Sequence, residues 1–441
     1  MKILFLPIDN RPVCYSLAND IVAQDSSIKL YLPPREALGG LTKNADINAL
    51  FDWIKNCPKS NAIILSLDTI AYGGLIPSRR TNESFEDIKK RLIDLKEILK
   101  EKDAKIFAFS SIMRISNNNY NEEEKEYWKD YGKKIFEYSF SGGINKSDIP
   151  DEIITDYLAT RKRNFEINKL YLEWQKEGLF DTLIFSKDDC AEFGFNVQEA
   201  QELERLGAKT KTGADEIPLS LLSRAIEKEI KVFVEYTEPN YKDLISNYED
   251  VSIEKSVLGQ LELSGFKMVE NKKDADLILI VNNFIEKQGE LVMNWPTQAF
   301  NKTFTSPKKP YCIADVRFTN GADNNFVEQL LPQIDLNKFY GYAGWNTSAN
   351  TLGSLLAGVK VKFKALEYNE EAFKRLQMIR FLDDWAYQAN VRAQIDKPCD
   401  ISGLMKPYEE QLKENLELTG LTNFEYFYPW YRKFEVEIAL W

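Results

Sequence analysis

Short apolar runs recur along the first three-quarters of the chain, separated by segments whose apolar residues fall at helical spacing. The runs are 2–7 (KILFLP), 28–32 (IKLYL), 61–67 (NAIILSL), 104–110 (AKIFAFS), 181–187 (DTLIFSK), 231–236 (KVFVEY), 275–281 (ADLILIV), 310–316 (PYCIADV) and 339–343 (FYGYA). Most lack polar alternation, which predicts strands covered on both faces, as in a parallel sheet. Segments 84–102 and 196–207 carry an apolar stripe opposite charged positions and predict outer helices. Segment 117–177, rich in Glu, Lys and aromatics, is longer than an ordinary connection. It predicts an insertion of two long helices, broken at Ser141-Gly142-Gly143 and bordering a cleft. After Lys364 the strand signal fades: 369–418 reads as helical and 424–441 as an aromatic terminal piece, a tail to cap the core or to mediate assembly into a homo-oligomer.

This alternation predicts an α/β fold around a mostly parallel sheet, either a β/α barrel with one extra strand or a doubly wound, two-lobed α/β arrangement. The expected organisation is one sheet-centred unit over 1–360, carrying the insertion 117–177, and a mainly helical region over 361–441. Both architectures collect binding groups at the carboxyl ends of the strands.

Composition narrows the partners. The 441 residues are 44% hydrophobic, 28% charged and 12% aromatic, as in a globular protein. A formal net charge of -11 argues against nucleic-acid binding, which needs a concentrated positive field. The apolar start, Met1 to Pro7, runs at once into Asp9 and Arg11, too short for a signal peptide, and no apolar stretch reaches the length of about 20 residues that spans a bilayer. Five scattered cysteines without CxxC spacing indicate neither a disulfide framework nor a zinc site, and a cytoplasmic location is expected. The chain contains no histidine. That removes Ser-His-Asp and Cys-His mechanisms and leaves acid–base work to Asp, Glu, Tyr, Lys or Cys.

Polar clusters follow the predicted strands: Asp9-Asn10-Arg11, Asp68-Thr69, Tyr72-Gly73-Gly74, Arg79, Arg114, Asp188-Asp189, Asp215-Glu216, Asn282-Asn283, Asp315, Arg317, Asn320 to Asp323, and Trp345-Asn346-Thr347. Any one of them alone reads equally as a helix cap. Two adjacent carboxylates at a strand end repel, so one of Asp188 and Asp189 can hold a raised pKa and act as an acid while the other stays charged; the bland alternative is a cap and an ion pair. Asp215, with Pro218 in the first turn of an apolar helix, reads as an N-cap as readily as a catalytic group. The loop from Asp68 to Arg79 joins Gly73-Gly74, which admits close approach of a ligand, to a forked guanidinium donor, but it matches no phosphate-binding motif. Trp345 among amides and hydroxyls suits a sugar face; the alternative is a core tryptophan beside a small-residue helix.

The stretches 6–12, 68–79, 186–189, 213–216, 314–317 and 341–353 together resemble the bacterial family called domain of unknown function 4127. The resemblance implies common ancestry and no particular reaction. The Asp188-Asp189 pair also resembles the carboxylate pair of barrel hexosaminidases of the O-GlcNAcase type, although here it follows the fifth strand where theirs follows the fourth. That analogy implies a substrate acetamido group acting as nucleophile.

The leading expectation is therefore a cofactor-free glycoside hydrolase acting on a small carbohydrate, including N-acetylhexosaminides. In it Asp189 is the acid/base and Asp188 orients the substrate or stabilises positive charge, or the two roles are exchanged. Asp9, Asn10, Arg11, Asp68, Tyr72, Arg79, Arg114, Asp215, Glu216, Asn282, Asp315, Arg317, Trp345 and Asn346 are its expected binding residues. The alternatives are a metal-assisted hydrolase or phosphoryl-transfer enzyme built on Asp9, Asp68, Asp188 and Asp315, and a non-catalytic sugar-binding protein.

Overall fold

The computed structural model describes every residue except Ser147 and Asp189. The chain divides into two compact units. Unit 1 comprises Met1–Tyr15, Lys29–Leu221 and Tyr248–Asp250; unit 2 comprises Ser16–Ile28, Leu222–Asn247 and Val251–Trp441.

In unit 1 the apolar runs become β1 (Lys2–Leu6), β2 (Lys29–Tyr31), β3 (Ala62–Ser66), β4 (Lys105–Ile112) and β5 (Thr182–Lys187). A short β6 (Thr210–Thr212) joins them in one wholly parallel sheet of order β2-β1-β3-β4-β5-β6. All of β3 and β5 is buried, as continuous apolar runs require. The helix Phe85–Lys100 shows how a cover forms. Ser84 caps its start by accepting from the Asp87 N–H, and Ile88, Leu92, Leu95 and Leu99 fall at spacings of four, three and four to make one buried face. The insertion holds the two expected helices, Trp128–Phe140 and Asp151–Lys176. At the break between them Gly142 and Gly143 take φ of 67° and 89°, a left-handed turn that glycine adopts without Cβ strain.

Unit 2 contains a second parallel sheet, formed by β7 (Lys231–Tyr236), β8 (Lys267–Met268), β9 (Leu277–Asn282), β11 (Tyr311–Asp315) and β13 (Phe339–Ala343) in the order β8-β7-β9-β11-β13. The small strands β10 (Gly289–Glu290) and β12 (Phe318–Thr319) pair beside it. The tail supplies the helices Glu370–Phe381 and Ser402–Asn415, a π-helical stretch Leu382–Val391, and an antiparallel hairpin of β14 (Phe424–Phe427) and β15 (Glu437–Leu440). Phe373, Phe381, Trp385, Met405 and Leu412 share one core with Ile313 and Phe339 of the sheet, so the tail does cap that core.

All nine expected strands are present, but five lie in one sheet and four in the other. The α/β class holds, and the single sheet over 1–360 is replaced by two open sheets; among the described residues no strand closes a barrel. In both sheets the first strand is flanked by the second on one side and the third on the other, and later strands follow in sequence. Chain segments leaving the first and third strands therefore diverge, which opens a crevice at their carboxyl ends. In unit 1 the strand order reverses between β1 and β3, the strands that lead into Asp9 and Asp68.

Candidate active site

Beyond β1 the chain turns so that Asp9 accepts from both the backbone N–H and the Nε of Arg11, each at 2.9 Å. The other edge of the same guanidinium donates to both oxygens of Asp215, at 2.6 and 3.1 Å. Two buried carboxylates thus share one positive charge. Burial, opposed by Arg11 and reinforced by the negative charges of Asp9 and Asp188, pushes the Asp215 carboxyl up to about 6. The Cys14 thiol borders this group, with Sγ 3.9 Å from Arg11 Nη2 and 3.9 Å from Asp215 Oδ1.

Asp68 lies in the first turn of the short helix Leu67–Tyr72 that follows β3, and is 1% exposed. Its Oδ2 accepts from the Ser111 N–H at 2.8 Å, and the Ser110 hydroxyl lies 3.2 Å from Oδ1. Burial outweighs these bonds and the charge of Arg79, and raises its pKa to about 6.

The third element joins Arg79, Arg114, Glu123, Glu124 and Asp188. Both arginines address the same three carboxylates in the same way. Nε of Arg79 and of Arg114 lies 3.2 and 2.9 Å from Glu124, and their Nη2 atoms lie 3.5 and 3.0 Å from Glu123. Their Nη1 atoms lie 4.0 and 3.6 Å from Asp188 Oδ2. The contacts to the glutamates hold the forks in place, while those to Asp188 are too long for hydrogen bonds, and the Asp188 side chain is 19% exposed. The insertion reaches the site through Glu123 and Glu124.

Glu216 is fully buried and turns back, its Oε2 accepting from the Ala214 N–H at 3.0 Å. Gly213, at φ 107°, makes room for it: a Cβ there would stand 1.8 Å from Glu216 Oε1. Asn10 enters through its backbone carbonyl, which accepts from Arg35 at 2.8 and 3.0 Å. Tyr72 is buried, with Arg163 5.5 Å from its ring centre. Unit 1 therefore holds Asp9, Asn10, Arg11, Asp68, Tyr72, Arg79, Arg114, Asp188, Asp215 and Glu216 of the expected residues. Asp189, the expected acid/base, lies outside the described residues.

Asn282, Asp315, Arg317, Trp345 and Asn346 belong to unit 2, where the first three form a network of their own. Asp315 accepts from Asn282 Nδ2, the Asp323 N–H and the Tyr342 hydroxyl at 2.8, 2.8 and 3.0 Å, and burial together with Asp323 pushes it up to about 7. Arg317 is wholly buried and spans the carboxyl ends of β7 and β9, donating to Glu238, Thr237, Asn282 and the Gln298 carbonyl. Arg317 therefore occupies the point in the second sheet where the strand order reverses. Trp345 is 3% exposed, the packed core tryptophan rather than an open sugar platform. Asn346 takes a left-handed φ of 59°, and its carbonyl accepts from the Asn320 N–H at 3.0 Å.

Sequence reasoning missed Cys14, Ser110, Ser111, Glu123 and Glu124. The glutamates sit in an acidic run, Asn121 to Glu126, that reads as a solvated surface, and the serines are inside the β4 run.

The fold is that of an α/β protein of two parallel-sheet units, with a histidine-free, carboxylate-rich cluster after the strands of the first. The chain belongs to the family described as Protein of unknown function (DUF4127), whose pattern matches residues 3–439. No curated protein and no solved structure matches it.

Proposed function

We propose that the protein is a glycoside hydrolase whose working carboxyl groups are Asp215 and Asp188. One observation carries this reading. The two acids follow the neighbouring strands β5 and β6 in contrasting surroundings: Asp215 is buried with its pKa raised to about 6, and Asp188 faces two guanidinium groups. Such a contrast separates a proton donor from a charged partner. Asp215 gives its proton to the glycosidic oxygen as the bond to the anomeric carbon breaks. Asp188 takes a proton from the water that adds to that carbon, so that one sugar hydroxyl and one free alcohol are produced. In unit 1 the acids outnumber the arginines they meet, which favours an uncharged, hydroxyl-rich substrate over a phosphate.

The test is a panel of nitrophenyl glycosides, N-acetylated ones included, with Asp188→Asn and Asp215→Asn variants confirmed as folded. Asp215→Asn should lose about 10²–10⁴-fold in turnover on poor leaving groups and much less on good ones. Absence of hydrolysis across the panel, or near-normal turnover by both variants, would remove the assignment.

A metal-assisted hydrolase or phosphoryl-transfer enzyme is the second reading, because ligand atoms of Asp9, Cys14 and Asp215 lie within 4.8 Å of one another. Arg11 stands between the two carboxylates at 2.7 and 2.6 Å and would have to leave. A rise in thermal midpoint with Mg²⁺ or Mn²⁺, reversed by chelator, would favour that reading.

A further inference from the structure

The segment Tyr248–Asp250 belongs to unit 1 although the chain on either side of it builds unit 2. Three contacts explain its place. Asp250 Oδ2 accepts from the Lys187 ammonium, and its Oδ1 accepts from the Thr212 hydroxyl at 2.6 Å. The Tyr248 carbonyl accepts from the Cys190 N–H at 3.0 Å. Lys187 and Thr212 are direct partners at the last register position of β5 and β6. Asp250 therefore clips two strand ends together at the point where their pairing stops, and Tyr248 fastens the loop that follows β5.

The clip stands beside the proposed chemistry. Asp188 is the next residue after Lys187, and Asp215 comes three residues after Thr212. The Lys187 and Asp250 side chains are 10% and 8% exposed, so removing one leaves the other charged and buried without its partner. Tyr248 holds φ of 63°, a left-handed conformation costly for a bulky residue and retained only where its surroundings impose it. We infer that Tyr248–Asp250 is a clasp on the loop after β5, and that Asp250 is a positioning residue setting Asp188 against Asp215. The positioning role rests on the hydrolase reading; the clasp does not.

Cys190 reports on the clasp, because it is buried at 8% exposure and its Sγ lies 3.3 Å from the Lys187 carbonyl. The experiment labels the intact protein with iodoacetamide and reads each cysteine by peptide mass spectrometry, in wild type, Asp250→Asn and Thr212→Val. Cys190 should label about tenfold faster in Asp250→Asn and at an intermediate rate in Thr212→Val, as a lost buried contact opens the loop locally. Cys14 and Cys312, both fully buried, should stay protected throughout. Equal labelling of Cys190 in all three proteins overturns the clasp, and so does labelling of Cys14 or Cys312 together with it, which marks general unfolding. On a hydrolysed glycoside, Asp250→Asn should lower kcat with little change in KM, and Asp250→Glu should restore part of it; an unchanged kcat overturns the positioning role. If the wild type hydrolyses nothing, the positioning role falls with the hydrolase reading, while the labelling still decides the clasp.

Discussion

Replacing Asp68 with asparagine should make the protein more stable above neutral pH and leave it unchanged at pH 4. The Ser110 hydroxyl has one proton, yet it lies 2.7 Å from Asn168 Oδ1 and 3.2 Å from Asp68 Oδ1. Both contacts are satisfied together only if Asp68 carries a proton, donating to Ser110 while Ser110 donates to Asn168. The side-chain amide introduced by Asp68→Asn would make the same donation at every pH. Burial raises the carboxyl from 3.8 to about 6. The folded state therefore prefers the protonated acid, and the cost of ionising it is absent below pH 4, grows as pH rises towards 6, and is complete above that. A shift of about two pKa units corresponds to roughly 3 kcal/mol. For a unit of this size that is about 6–12 °C in thermal midpoint, an upper bound because the amide loses its attraction to Arg79. Midpoints of wild type and Asp68→Asn would be compared by circular dichroism at pH 4, 5, 6 and 8. A difference independent of pH, or a variant less stable than wild type at pH 8, would refute the raised pKa of Asp68 in the folded state.

Two further substitutions probe the same unit. Arg11→Met leaves Asp9 and Asp215 buried without their shared cation, which should cost about 3–5 kcal/mol at pH 8 and less at pH 5, where Asp215 takes up a proton; equal midpoints for variant and wild type at pH 8 would contradict this. Gly213→Ala drives a Cβ into Glu216 and imposes φ of 107° on alanine, at a cost of roughly 1–3 kcal/mol. Adding Glu216→Ala should recover part of that loss, and a double variant no more stable than the single one would show that the clash is not its cause.

The nine strands were legible because a strand covered on both faces must be apolar along its whole length. Strands without that cover were not: β6 is Thr-Lys-Thr, and β8 is the exposed pair Lys267-Met268. Strand order is absent from periodicity, so barrel and open sheets could not be told apart in advance. In the site, Asp9, Arg11, Asp68, Arg79, Arg114, Asp188 and Asp215 were found by their position after strands. The same rule also selected Asn282, Asp315 and Arg317, which fill the interior of the second unit. A polar residue after a strand can bind a ligand or complete a buried network, and the sequence is the same in both cases. Asp250 left no local signal, since it lies 63 residues from Lys187 and its partners are set by tertiary structure alone.

The threading of the chain between its two units constrains how the protein can be made. Unit 1 lacks its last segment until residue 250 has been synthesised, and unit 2 draws on residues 16–28, which precede most of unit 1 in the chain. Asp25, for example, accepts from the N–H groups of Leu366 and Glu367, more than 340 residues later. A nascent chain must therefore keep that segment available until the later residues of unit 2 have been made. Contacts of such separation slow folding and lengthen the exposure of apolar strands. No single cut in the chain would release two whole domains, so the protein is suited to refolding as one piece and poorly suited to dissection.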